Sequence, residues 1–284
     1  MGPVYRRWRA LAVLLAAPAG LALAGAISPG SWANRLLEAE RTGEPIPVVS
    51  AGEETALTLD RAYAIQSAYV TARQHGGARI AGFKAGLTTQ AGRENFGVDE
   101  PLAGVLFEAG RHPEGADVSL DGYHAPRIEV EIAFVLGEPV TGTVENIEAL
   151  KDRVRVVAPA VELPELGFAE PSALTGPDIA AANVVSRGFI LGPALQPPDG
   201  RTLGSLSATL ERGGTTVNTG KGADALGDPW HAALWLTNKA AREGYRLEPG
   251  HVLLTGALGG MVEARPGRYT ARIEDLGEVE FELR

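Results

Sequence analysis

Arg127-Ile-Glu-Val-Glu-Ile-Ala-Phe-Val-Leu136 is the stretch whose reading decides the fold. Successive side chains of a β-strand point to opposite faces. Ile128, Val130, Ile132, Phe134 and Leu136 alternate onto one face, and Glu129, Glu131, Ala133 and Val135 share the other. The segment is therefore a strand, and its second face is not a simple solvated one. Residues two apart on a strand lie about 6.5–7 Å apart along the backbone, so both carboxylates can reach one ion. Two carboxylates on a part-buried face repel unless something positive sits between them, and a hard divalent cation with oxygen ligands does this. Taken alone, the strand leaves a second reading open, an exposed face with two solvated glutamates.

Working outward, Val154 to Leu163 reads as a second buried strand, and Glu162 ends its apolar run Val156-Val-Ala-Pro-Ala-Val161. A charge in such a strand is rarely buried without a partner; a solvated strand end is the other reading. Three such carboxylates suit magnesium or manganese better than zinc, which favours nitrogen or sulfur ligands. Upstream, Ser31 to Glu40 reads as a short helix and Pro45 to Glu54 as a loop. Leu59 to Gln74 reads as a helix with Ala62, Ile65, Tyr69 and Ala72 along one face, stopped by Gly76-Gly77. Ile80 to Leu87 is expected as a strand and Thr88 to Asn95 as a helix capped by Thr88.

Downstream, Glu145 to Arg153 is expected as a helix, Arg187 to Leu191 as a strand, and Leu206 to Asn218 as a hairpin turning at Gly213-Gly214. Asp228 and Pro229 open a helix that Gly244 stops. His251 to Leu258 reads as a strand and Tyr269 to Leu283 as a last hairpin around Leu276-Gly277. Helices dominate the first half and strands the second, which is the pattern of an α+β domain with a large mixed sheet. No alternating strand–helix series is present, so a Rossmann fold or TIM barrel is rejected.

Residues 1–26 read as an export signal. Arg6, Arg7 and Arg9 precede the apolar run Ala10 to Leu23, and small residues at Ala22, Ala24 and Ala26 suit cleavage after Ala24 or Ala26. Either Sec or twin-arginine export fits the two adjacent arginines. The run is short for a membrane span, which needs roughly 20 residues. The expected product is periplasmic or secreted, with no stable membrane anchor after processing. It has 284 − 26 = 258 residues and a charge of −9 − 3 = −12, which disfavours nucleic acid as a partner. With 45% hydrophobic and 21% charged residues the chain is an ordinary globular one. With no cysteine it can have no disulfide, thiolate nucleophile or Cys-ligated zinc.

Lys84 lies in the short apolar stretch Gly82-Phe-Lys-Ala-Gly86. It reads either as a surface lysine or, beside a metal site, as a group that neutralises a carboxylate or moves a proton. Gly86 and the helix start behind it would let backbone N–H groups approach an anion. Thr255-Gly256-Ala-Leu-Gly-Gly260 reads as a tight turn or as a place where Thr255 and free N–H groups hold a carboxylate. His75, His112, His124, His231 and His251 assemble into no motif. No serine or threonine has the context of a nucleophile elbow, which removes a serine hydrolase.

Taken in order, Gly82-Phe-Lys-Ala-Gly-Leu-Thr88, Phe96-Gly-Val-Asp99, Gly104-Val-Leu-Phe107, Arg127 to Phe134, Pro159-Ala-Val-Glu162 and Leu254-Thr-Gly-Ala-Leu258 resemble a known family. It is the 2-keto-4-pentenoate hydratases and 4-oxalocrotonate decarboxylases, within the fumarylacetoacetate hydrolase superfamily. The likeness runs from about residue 58 to the C-terminus, and the spacing of 162 − 131 = 31 residues is close to the family's. The resemblance implies a mixed β-roll with flanking helices, with 27–79 as an N-terminal helical segment and 80–284 as the catalytic domain, assembled as a homo-oligomer. It implies that Glu129, Glu131 and Glu162 hold Mg²⁺ or Mn²⁺, that Lys84 is the active-site lysine, and that Gly86, Leu87, Thr255 and Gly256 contact substrate.

The implied activity is that of a metal-dependent lyase on short 2-hydroxydienoic or 2-oxo acids. A decarboxylase, a C–C hydrolase of acylpyruvates, or an exported non-catalytic 2-oxo acid binding protein are the alternatives. The hydrolase needs a base to activate water, and no His–Glu pair is placed for it. Three positions depart from the family. Leu102 stands where an acid is common, Pro164-Glu-Leu-Gly167 where Ser-Arg is usual, and Ala182-Asn183 where Asp-Asn is usual. Asp99 or Glu100 is expected as a substitute for the missing acid.

Overall fold

The computed structural model describes residues 27–195 and 202–284; the expected export signal lies outside them. The chain opens with two helices, α1 (Pro29–Thr42) and α2 (Leu59–His75), followed by β1 (Ile80–Gly86), α3 (Gln90–Phe96), β2 (Leu102–Phe107), β3 (Arg111–His112) and β4 (Asp117–Val118). Next come β5 (Arg127–Leu136), α4 (Ile147–Lys151), β6 (Val154–Leu163), α5 (Gly176–Ala181), β7 (Gly188–Leu191), β8 (Ser207–Arg212) and β9 (Thr215–Lys221). Helix α6 (Pro229–Arg242) and strands β10 (Val252–Leu254), β11 (Val262–Glu263), β12 (Gly267–Ile273) and β13 (Gly277–Leu283) complete the chain. Among the described residues no helix is long and apolar enough to cross a membrane.

The strands form two mixed, curled sheets, the expected α+β architecture. The larger has eight strands in the order β2-β1-β10-β5-β6-β7-β3, with β11 also on β5; the smaller has five in the order β4-β13-β12-β8-β9. Strand β5 is central because both its faces are covered. Ile128, Val130, Ile132, Phe134 and Leu136 enter a core that also takes in Trp32 and Leu36 of α1, Trp230 of α6, and Tyr269 and Phe281 of the smaller sheet. On the other face Ala133 and Val135 join Ala81, Ala160, Phe189 and Leu254 in a second cluster. Helix α2 is tied to the sheet by Gln66, whose amide donates to the carbonyls of Ala103 and Ala180 at 2.9 Å.

Several boundaries differ from expectation. Strand β2 went unforeseen because Leu102–Phe107 is buried throughout and shows no alternation. Thr89, not Thr88, caps α3, accepting from Gly92 N, and Thr88 is buried against Gly256. Helix α4 is only five residues long, capped by Asn146. The expected strand from His251 to Leu258 stops at Leu254, because the chain turns at Gly256 (φ +101°) to bring its N–H onto Glu131. The hairpin at Gly213-Gly214 and the Asp228-capped helix form as expected.

Gly82 fits β1 against β10. Its φ is +149°, and an added Cβ would overlap the carbonyl of Val252 and lie 2.5 Å from that residue's nitrogen. Gly82→Ala is expected to lower the unfolding free energy by more than about 2 kcal/mol, read as a lower urea midpoint. An unchanged midpoint would show that the two strands can separate freely.

Candidate metal centre

Strand register builds the centre. Glu129 lies directly opposite Glu162 across the β5–β6 ladder, and directly opposed residues project to the same face. Glu131 follows two residues later on that face. Lys84 reaches it from β1 through β10: Lys84 pairs with Leu254, which pairs with Ala133. Four side chains from three strands thus share one face of one sheet.

The three glutamates each offer a carboxylate oxygen within 4.8 Å of the other two. Glu131 and Glu162 have no exposed surface; Glu129 is half-buried and lines a cavity. Lys84 Nζ stands 3.0 Å from Glu162 Oε2 and also donates to the carbonyl of Val184 at 3.3 Å. Gly256 N donates to Glu131 Oε2 at 2.6 Å. Glu131 Oε1 and Glu162 Oε1 are buried with no hydrogen-bond partner. Leaving such atoms unpaired costs about 1–3 kcal/mol each, more if charged.

Electrostatics follows from this crowding. Burial first, then repulsion from Glu162, pushes Glu129 up to about 8 despite the attraction of Lys84. Burial and repulsion from Glu162 and Glu129 hold Glu131 well above the carboxylate range, against the hydrogen bond from Gly256. Burial pulls the Lys84 pKa down, but attraction from Glu162, Glu129 and Glu131 outweighs it and keeps the ammonium. Fully ionised, the centre carries 3 − 1 = 2 negative charges. An all-oxygen donor set, orphaned carboxylate oxygens and a net charge of two fit a hard divalent cation.

A stability slope follows. Above the ordinary carboxylate value of 4.5 the unfolded chain has lost the Glu129 proton, and the folded one keeps it to about 8. The metal-free protein should therefore lose stability as pH rises between these values, by about 1.4 kcal/mol per unit for each retained proton. His112 and His251, pulled down by burial, give the opposite slope at lower pH, from their ordinary 6.5 downward. The clean window is pH 7 to 8. Urea unfolding in chelator should show the decline there and saturating magnesium should remove it. A flat profile in chelator would mean that Glu129 does not keep its proton above the ordinary carboxylate range.

Of the sequence-derived residues, Gly86 and Leu87 line the cavity with Lys84 and Glu129. Thr255 and Gly256 do not. The Thr255 hydroxyl donates to the carbonyl of Ile132 at 2.8 Å, and Gly256 serves Glu131. Asp99 and Glu100 do not reach the cavity: Asp99 is exposed and Glu100 pairs with Lys239 at 3.1 Å. Leu102 is buried in the main core. No histidine lines the cavity among the described residues.

Sequence reasoning missed the left-handed turn Asn183–Val185, whose φ values are 56°, 50° and 52°. A β-branched residue strongly disfavours that conformation, so no local signal points to it. The side chain of Asn183 pins the turn, accepting from Val105 N at 2.7 Å and donating to Val105 O at 2.8 Å. Gly104 and Gly86 make room for it: a Cβ on Gly104 would lie 2.7 Å from Asn183 O, and one on Gly86 2.5 Å from Val184 Cγ1. Pro164 and Leu166, from the departing segment after Glu162, line the cavity, while Glu165 turns away to accept from the N–H groups of His124 and Ala125 at 2.9 Å.

Residues 94–284 match the family described as fumarylacetoacetate (FAA) hydrolase, C-terminal. A 2-keto-4-pentenoate hydratase from Paraburkholderia xenovorans is 34% identical over 253 residues, covering 88% of this chain and 93% of the relative. A 4-oxalocrotonate decarboxylase from a Pseudomonas species is 32% identical over 250 residues, covering 88% of this chain and 95% of the relative. The solved structure of 4-oxalocrotonate decarboxylase from Pseudomonas putida G7, complexed with magnesium and adipate, superposes with a TM-score of 0.83 at 27% identity. It covers 90% of this chain and 97% of that one.

Proposed function

This chain belongs to the fumarylacetoacetate hydrolase family, and from that premise we propose that it is a magnesium-dependent lyase acting on short 2-hydroxydienoic or 2-oxo acids. The observation that carries the reading is the triad Glu129, Glu131 and Glu162, two of them fully buried, with two carboxylate oxygens left without partners. Glu129, Glu131 and Glu162 would hold the cation; manganese is the alternative by donor chemistry. When bound, the cation supplies Lewis acidity toward the oxygens of a 2-oxo acid.

The rest is done by the protein's own groups. Lys84 is an ammonium fixed between Glu162 Oε2 and the Val184 carbonyl, so a proton donor stands at the edge of the centre. Gly256 N–H holds Glu131 in orientation. The apolar lining of Leu87, Ile179, Val184 and Val185 keeps water from the acid except where the centre is open. The acylpyruvate hydrolase reading lacks a histidine base in the cavity.

The test is the ultraviolet band of a 2-hydroxydienoate incubated with purified protein and magnesium. Its decay, abolished by chelator, is expected. A persistent band alongside magnesium-dependent binding of the acid would leave a binding protein instead. Export rests on the sequence of residues 1–26 and a homo-oligomer on the family resemblance. The intact mass of the mature chain and its hydrodynamic mass read these two.

A further inference from the structure

Resting on the site proposed above, we infer that the protein selects acids whose far end is uncharged and apolar, and rejects those that end in a second carboxylate. The cavity has one polar end, Lys84 and Glu129, and among the described residues these are its only ionisable side chains. The remaining wall is hydrophobic, with Phe96, Leu166, Phe168, Leu174, Ile179 and Met261 as its large side chains. Part of that wall is a packed cluster in its own right: Phe168 and Val185 with Val48, backed by Leu166 and Leu174. It is a cluster distinct from the main core.

Among the described residues, no cation other than Lys84 lines the cavity. Lys84 is held by Glu162 and by the Val184 carbonyl. Arg93, on the helix that contributes Phe96, donates to the carbonyls of Thr88 at 2.8 Å and Leu87 at 3.2 Å and does not line the cavity. The buried polar groups behind the wall are also saturated. Asp178 accepts from Ser50 N and Oγ and from Thr175 N and Oγ1; Glu165 accepts from three backbone N–H groups. An ionised carboxylate carried into this wall would lose its hydration and gain no partner, which disfavours it by roughly 100-fold or more. An alkyl or vinyl end gains from the same surface.

The experiment uses the full chain with magnesium and two six-carbon probes, 2-oxohexanoate and 2-oxoadipate, which differ only in the terminal carboxylate. Calorimetry should give a Kd for 2-oxoadipate at least about 100-fold weaker; equal or reversed affinities overturn the inference. Turnover separates this from the proposed reaction. If no dienoate is consumed but 2-oxohexanoate is still preferred, the reaction fails and the selectivity stands. If mono- and dicarboxylic dienoates are consumed alike, the reaction stands and the selectivity falls; if neither oxo acid binds, both fall. Met261 is 48% exposed at the rim, so Met261→Lys leaves the fold intact. It should tighten 2-oxoadipate at least about tenfold relative to 2-oxohexanoate. An unchanged ratio would remove this wall from the path of the substrate's tail.

Discussion

Glu131→Gln is expected to weaken magnesium binding by at least about 100-fold, since loss of a mere outer partner of a metal ligand already costs 10–100-fold. Diene consumption should fall at least as far. The amide still accepts from Gly256 N–H, which now holds Oε2 at 2.6 Å, so the turn at Gly256 survives. It also mimics the protonated acid that burial and repulsion from Glu162 and Glu129 enforce in the metal-free protein. Metal-free stability at neutral pH should therefore stay within about 1 kcal/mol of the parent, the worth of one hydrogen bond. Fewer protons should be released per magnesium bound, because that carboxyl no longer has to ionise. Calorimetry in two buffers of different ionisation enthalpy reads affinity and proton count together. Parental affinity in the variant would take Glu131 out of the metal centre.

The second large effect is on Lys84. Lys84→Met keeps an unbranched apolar stem through the buried strand and deletes the ammonium. Turnover should fall by about 10²–10⁴, the usual contribution of a positioned proton donor or acceptor. Magnesium affinity should move the other way: removing a positive charge 3.0 Å from Glu162 Oε2 removes a repulsion from the cation. In the metal-free protein the same change leaves Glu162 buried without its partner. Breaking such a pair destabilises by about 3–5 kcal/mol, and magnesium should restore most of that. A variant that loses activity and metal together would demote Lys84 to a structural strut. Lost activity with tighter metal would make it part of the chemistry.

Much of this was legible in the residues. Alternation in Ile128 to Leu136 set the strand, its core face and the common face of Glu129 and Glu131. Val156 to Val161 marked its neighbour and placed Glu162 at its end. Gly213-Gly214 and Asp228-Pro229 fixed a turn and a helix start through local chemistry alone. Other features were hidden because local rules do not reach them. Strand β2 is apolar on both sides, so it has no period to read. Thr255 looked like an anion contact, yet its hydroxyl is used by the Ile132 carbonyl across the sheet.

What the sequence determined by itself is the set of acidic side chains and their strands, because the two-residue period of a strand is a property of covalent geometry. What only the tertiary structure decided is the company they keep. Register across β5 and β6 set Glu162 opposite Glu129. The route through β10 brought in Lys84. A left-handed turn at 183–185, a conformation valine resists, is held against Gly86 and Gly104 by the bonds of Asn183 to Val105. Those are contacts between residues as much as 254 − 84 = 170 positions apart. Their energies depend on burial and pairing, which exist only once the sheets have closed.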